Sequence, residues 1–301
     1  KKVFSFWYAV FLAMAACIEP YNPPLVPPGD SYLVIDGVLD LDGSAEVAIT
    51  HTLPLNSPLQ PAPEESASVE IHDDLGNKYR LASAGGGLYT ISGADFHIDR
   101  KYFLQITTWN DQIYQSDMVI PQQTPEIDSI YWTLNDDQIL EINLDTHTPS
   151  SSQGSYYRWR STETFEYNSV YAAAYILIDQ VVYPRTNGEF VDLCWKTQQI
   201  PNIQIAKTTL LAQDRVSKYI LQSIPAHDIR LTRRYSIHVF QQALTEEAYE
   251  YWLSVKETTE TLGGLFDPIP GSVTGNIRSL TSPEQPVIGF FSSGSITEKR
   301  I

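Results

Sequence analysis

Apolar and polar residues alternate with period two over much of the chain, the pattern of strands buried on one face. Tyr32-Leu33-Val34-Ile35-Asp36-Gly37-Val38 is rich in strand formers, and Asp42-Gly43 is a turn signal ahead of 45–50. These two segments are expected to pair as a hairpin. Ala67-Ser68-Val69-Glu70-Ile71-His72 alternates, and Asp73-Asp74-Leu75-Gly76-Asn77 turns the chain into 78–83. Gly85-Gly86-Gly87 permits a further reversal before Leu88-Tyr89-Thr90-Ile91, and 101–109 places Tyr102, Leu104 and Ile106 on one face. Asn110-Asp111 leads into 112–120, which Pro121 closes. About seven short strands without a helical crossover indicate a β-sandwich over 32–122, immunoglobulin-like or transthyretin-like.

Thr124-Pro125 marks the start of a larger β-rich domain, 123–301. Residues 127–134 and 138–144 read as a hairpin across Asn135-Asp136-Asp137, and strand character returns at Tyr156-Tyr157-Arg158-Trp159. The stretch 167–201 mixes the apolar run 170–178 with loop signals at Pro184 and Asn187-Gly188, and reads as an insertion or ligand-facing loop. Strands resume at 203–211, 216–223 and 233–241. The period then changes, and 245–262 is expected to form one long helix near the C-terminus. Thr245 caps it, Glu246 and Glu247 suit its positive end, and Gly263-Gly264 ends it. Ala248, Trp252, Val255, Thr259 and Leu262 make its expected inward stripe. The fold class is therefore mainly β, a sandwich followed by a β-rich domain carrying this helix.

The first 31 residues have a different pattern. Lys1-Lys2 precede an apolar run over 3–16, shorter than the about 20 residues that a membrane span needs, and Ala15-Ala16 precede Cys17. This is the layout of a secretory signal over 1–16, and the chain would then lack only its initiator Met. A cysteine directly after Ala15-Ala16 resembles a bacterial lipobox, which implies a diacylglycerol on Cys17. Residues 17–31 hold five prolines and read as an extended tether.

Composition narrows the function classes. The formal net charge is −16 over 301 residues, which disfavours nucleic acid as a partner. The chain has two cysteines, so there is no disulfide framework, and Cys194, within Val191-Asp192-Leu193-Cys194-Trp195, reads as a buried, inert thiol. The six histidines are scattered without His-x-x-x-His or His-Glu-x-x-His spacing, and no Gly-x-Ser-x-Gly elbow occurs. Asp40-Leu41-Asp42-Gly43 lacks the spacing of a calcium loop and reads as a hairpin turn. The expectation is a protein with no catalytic residues, no metal site and no cofactor beyond the N-terminal acyl lipid. Eighteen tyrosines against two methionines suit strands and contact surfaces. Among the aromatic residues, Trp132, Tyr157 and Trp159 are the candidates for contact with a partner or ligand.

The order of features is similar to that of the Bacteroidota outer-membrane lipoproteins catalogued as domain-of-unknown-function family 4249. The residues that carry this are Cys17-Ile18-Glu19-Pro20-Tyr21, Leu33-Val34-Ile35-Asp36-Gly37, Ile127-Asp128-Ser129-Ile130-Tyr131, and Tyr156-Tyr157-Arg158-Trp159. The C-terminal part adds Tyr235-Ser236-Ile237-His238-Val239, Ala248-Tyr249, Tyr251-Trp252, Gly275-Asn276-Ile277 and Val287-Ile288-Gly289-Phe290-Phe291-Ser292. The resemblance implies a lipid-anchored protein of the outer membrane, displayed at the cell surface, although only Glu19 is acidic among the residues just after Cys17. It further implies a non-enzymatic accessory subunit of a TonB-dependent transporter or a related outer-membrane β-barrel. The alternative expectation is a free-standing surface lipoprotein that captures a glycan or peptide.

Overall fold

The computed structural model describes residues 32–53, 60–148, 155–186, 191–209, 214–260 and 275–301. The signal over 1–16, Cys17, the tether over 17–31, Asn187-Gly188 and Leu262-Gly263-Gly264 lie outside them. The fold is that of the unit formed by Tyr32–Thr52 and Pro61–Ile301.

The first eight strands are β1 (Leu33–Asp40), β2 (Ser44–His51), β3 (Ser68–Asp73), β4 (Lys78–Arg80), β5 (Ala82–Gly85), β6 (Leu88–Ile91), β7 (Tyr102–Thr107) and β8 (Ile113–Ser116). Next come β9 (Ile127–Leu134), β10 (Ile139–His147), the long β11 (Tyr156–Ala173), β12 (Tyr175–Ile178), β13 (Val181–Pro184) and β14 (Val191–Gln199). The chain continues through β15 (Gln204–Lys207), β16 (Arg215–Pro225), β17 (Arg234–Leu244), helix α1 (Glu246–Glu260), β18 (Ile277–Ser279), β19 (Ile288–Gly294) and β20 (Ile296–Arg300). The fold is mainly β with one long helix near its C-terminal end.

Two five-stranded sheets make the sandwich, in the orders β19-β1-β2-β6-β5 and β18-β8-β7-β3-β4. Their alternate residues meet in one core that includes Ile35, Val47, Ile49, Ile71, Leu104 and Ile106. The hairpin of β1 and β2 closes at Asp42-Gly43, where Gly43 takes φ 97°, and Ser44 N–H donates to Asp42 Oδ1 at 2.8 Å. Both sheets borrow a strand from the far end of the chain. β19 pairs in parallel with β1, Val34 opposite Ile288 through Asp40 opposite Gly294, and β18 pairs with β8. Gly289 permits this approach, since a Cβ there would stand 2.3 Å from the Ile35 carbonyl oxygen.

The second core is shared by the sheet β16-β10-β9 and the sheet β14-β11-β17-β20. It gathers Ile142, Leu144, Tyr157, Trp159, Ile237 and Val239. Helix α1 begins as its sequence dictates, with Ala248 N–H donating to Thr245 Oγ1 at 3.2 Å. Its buried side chains are Ala248, Tyr249, Tyr251 and Trp252 rather than the full expected stripe, because Val255 is half-buried and Thr259 exposed. Full cover comes over the first two turns, where Ile205, Leu244 and Phe290 join the helix in a third cluster against which Leu253 and Val255 are partly buried. Arg158 ties this cluster to the sandwich. Its guanidinium lies 3.4 Å from the Trp252 ring centroid and 3.5 Å from Asp36 Oδ2. Burial holds its pKa below the usual arginine value, with Asp36 opposing.

Two further expectations are corrected. The stretch 167–201 is mostly strand rather than loop: β11 runs on to Ala173, and β12, β13 and β14 follow. Cys194 is half-buried rather than buried, because its strand β14 is the outer strand of its sheet, with Leu193 and Trp195 exposed beside it.

Candidate functional site

Most of the polar groups buried around β11 are engaged with one another, although Arg158 Nη1 and Ser161 Oγ have no hydrogen-bond partner. Glu163 accepts from Tyr235 Oη at 2.9 Å and lies 3.4 Å from Arg230 Nη1. Burial and the Glu163 carboxylate raise the Tyr235 pKa well above its ordinary value. Glu166 is paired with Arg233 at 3.0 Å and Arg234 at 3.4 Å. Asp214 accepts from Ser155 Oγ at 2.5 Å, from Tyr157 Oη at 3.2 Å and from Thr208 Oγ1. These contacts balance buried charge. Among the described residues, no group of three or more His, Cys, Asp or Glu side chains is placed to hold a metal ion.

The candidate contact aromatics separate. Tyr157 and Trp159 are core residues, 0% and 1% exposed. Their rings stack on each other at 5.9 Å, and Trp159 Nε1 donates to Gln241 Oε1 at 2.8 Å. They serve packing and cannot meet a partner. Of the two parities on 156–159, the other one, Tyr156 and Arg158, faces the helix, where Tyr156 meets Tyr249 at 5.1 Å. Trp132 is 63% exposed on β9, opposite Ile142. Cys17 lies outside the described residues.

The surface that sequence reasoning missed is an apolar arm. β11 pairs with β17 up to Glu166 opposite Arg234, and there β17 begins. β11 continues with β14 alone, and the register shifts between Asn168 and Ala173. Val170 and Tyr171 within this shift are 86% and 85% exposed. β12 and β13 then form a two-stranded ribbon closed by Asp179-Gln180, at φ 49° and 64°. Positive φ at both central residues matches the right-handed twist of a tight hairpin. Neither residue is glycine, so the turn costs roughly 1–2 kcal/mol per residue.

Register fixes the two faces of the ribbon. Tyr175 opposes Pro184 and Leu177 opposes Val182 on one face; Ile176 opposes Tyr183 and Ile178 opposes Val181 on the other. Both faces are apolar, and Asp179 is the sole charge from Tyr175 to Pro184. Tyr175, Leu177, Ile178, Val181, Val182 and Tyr183 are each between 48% and 67% exposed. Leu193 and Trp195, the latter 57% exposed, extend the apolar surface along β14. A signal was present in the sequence: the run 170–178 is apolar at both parities, which by itself reads as a strand covered on both sides.

Fold and surface together define a class: a mainly β protein that presents an uncovered apolar ribbon. The profile of the family described as "Domain of unknown function (DUF4249)" matches residues 18–300, and the chain belongs to that family. No curated protein matches the sequence. Among solved structures, the adhesin InvE of Yersinia pseudotuberculosis aligns at 9% identity over 72% of this chain, with a TM-score of 0.19. The chain spans 58% of that adhesin chain, and a superposition at this score is no evidence of a shared fold.

Proposed function

We propose that this chain is a non-enzymatic binding subunit that uses the 170–183 arm to dock onto an outer-membrane β-barrel, with a TonB-dependent transporter as the expected partner. Lipid on Cys17 anchors it to the outer membrane, and the proline-rich segment 17–31 gives the folded body reach to its partner. The observation that carries the reading is the arm. Eight large apolar side chains between Val170 and Tyr183 stand open, whereas a monomer's largest apolar patch is usually about 300–600 Å². By the exposed fractions above, these eight expose roughly 900 Å² of whole-residue surface summed over both faces of the ribbon and the stretch before it.

The test is affinity purification of the tagged chain from gently solubilised outer membranes, alongside the double variant Leu177→Lys, Val182→Glu. Both positions are solvent-exposed and directly opposed, so the introduced charges pair across the ribbon and the variant should fold with near wild-type stability. A stoichiometric β-barrel that accompanies the wild type and is lost from the variant is the expected result. A wild-type chain recovered alone, or a barrel kept by the variant, would refute the reading. A second reading, free-standing glycan or peptide capture, draws on Trp132 and on Trp109, which is 73% exposed, as stacking platforms. Glycan-array binding lost on Trp132→Ala would favour it.

A further inference from the structure

We infer that the arm acts as a wedge, entering a cleft on a different protein whose two walls are both apolar; the inference rests on the reading that the arm is the contact surface. Pairing places Leu177 with Val182 on one face and Ile178 with Val181 on the other. A flat partner surface would cover one of these faces and leave the other in water, which gives no account of its apolar residues. A cleft covers both.

Two other occupants fit less well. β12 and β13 pair only with each other among the described strands, so the outer edge of each presents unpaired backbone N–H and C=O groups. Hydrocarbon offers those groups no partner, and Asp179 at the tip would be carried deepest. A second copy brings another net charge of −16, and two acidic bodies repel. A two-fold mate laid face to face would again leave one face of the ribbon open, and one laid edge to edge would leave both. The partner that fits has aliphatic or aromatic walls, polar groups at the cleft floor to meet Asp179 and Gln180, and backbone groups along at least one open edge, as in strand addition.

The experiment places a photo-crosslinking amino acid at Leu177 in one full-length chain, at Ile178 in a second, and at exposed Leu75, far from the arm in sequence, in a third. Each is expressed in the native membrane, irradiated, and its adducts identified by mass spectrometry. The wedge predicts one heterologous polypeptide captured from both Leu177 and Ile178 at yields within about twofold, and none from Leu75. Capture from only one of the two positions overturns it in favour of flat docking. Adducts of twice the chain mass overturn it in favour of self-association. Absence of a polypeptide adduct from either position also overturns it; flotation of the chain with phosphatidylethanolamine–phosphatidylglycerol vesicles, abolished by Leu177→Asp, would then assign the arm to lipid. The two readings fail separately. Capture from both faces of a protein that is not a β-barrel sinks the transporter assignment and leaves the wedge standing. Capture of a barrel from one face alone does the reverse.

Discussion

Replacing Gln241 with leucine removes the amide of a side chain that is 0% exposed and shortens it by one atom. The loss can be traced group by group. Gln241 Nε2 donates to Pro125 O at 2.8 Å and to Thr146 Oγ1 at 3.0 Å. Both acceptors keep another engagement: Pro125 O still receives Thr297 Oγ1 at 2.9 Å, and Thr146 Oγ1 still donates to Glu126 O at 3.0 Å. Trp159 Nε1 has no such substitute, since its bond to Gln241 Oε1 at 2.8 Å is lost inside the second core. An orphaned buried donor costs about 1–3 kcal/mol, and two lost neutral bonds add about 0.5–1 kcal/mol each. Leucine's greater apolarity offsets part of this, so Gln241→Leu should destabilise by about 2–3 kcal/mol. Trp159→Phe alone should cost about 2–4 kcal/mol, because it leaves Gln241 Oε1 unpaired and opens a small void. The double variant has neither orphan, so it should cost less than the sum by about 1–3 kcal/mol. Urea unfolding followed by far-ultraviolet circular dichroism, with the slope of the transition held common, measures all four corners of the cycle. Additivity within about 0.5 kcal/mol would refute the assignment of this hydrogen bond as an energetic coupling between Trp159 and Gln241 across the paired strands β11 and β17.

The remaining predictions concern other parts of the fold. Gly289→Ala drives a Cβ to 2.3 Å from Ile35 O and so opens the parallel pair of β1 and β19; a loss of about 3–5 kcal/mol is expected, read as a lowered thermal midpoint. Thr245→Ala removes the cap on Ala248 N–H and should cost about 1 kcal/mol in the same assay. Burial raises the Tyr219 and Tyr251 pKa values from 10.0 to about 12, with the neighbouring Asp36 adding to the shift at Tyr251. The unfolded chain loses these protons first. Their stabilising contribution is therefore whole below pH 10 and is lost as the pH rises through the window from 10 to about 12. Tyr219→Phe should flatten the fall in stability over that window; an unchanged slope would show that Tyr219 does not titrate late. Leu177→Lys with Val182→Glu should leave the urea-derived stability of the free chain within about 0.5 kcal/mol of wild type while abolishing partner association, since both residues are exposed and the new charges pair across the ribbon.

Local pattern was sufficient where a strand's partner is its chain neighbour. The β1–β2 and β9–β10 hairpins, the one-faced burial of Tyr102, Leu104 and Ile106, and the Thr245 cap all depend on residues a few positions apart, and alternation or capping chemistry reports them directly. The lipid expected on Cys17 is a reading of linear text alone, and Cys17 lies outside the described residues. Tertiary structure alone decided three things. It put β19 beside β1, and no residue near Gly289 names a parallel partner some 250 positions away in sequence. It chose between the two parities of Tyr156-Tyr157-Arg158-Trp159. Both carry large side chains, so only the placement of Tyr219 and Gln241 on one side and of α1 on the other sends Tyr157 and Trp159 inward. It also left the arm uncovered. A run apolar at both parities states that the residues avoid water, but not what will shield them. Within one chain that shield is a neighbouring layer, and β12 and β13 have none among the described residues. Alternation records a side chain's preference for burial, whereas burial itself depends on surfaces brought together from distant parts of the chain or from another molecule.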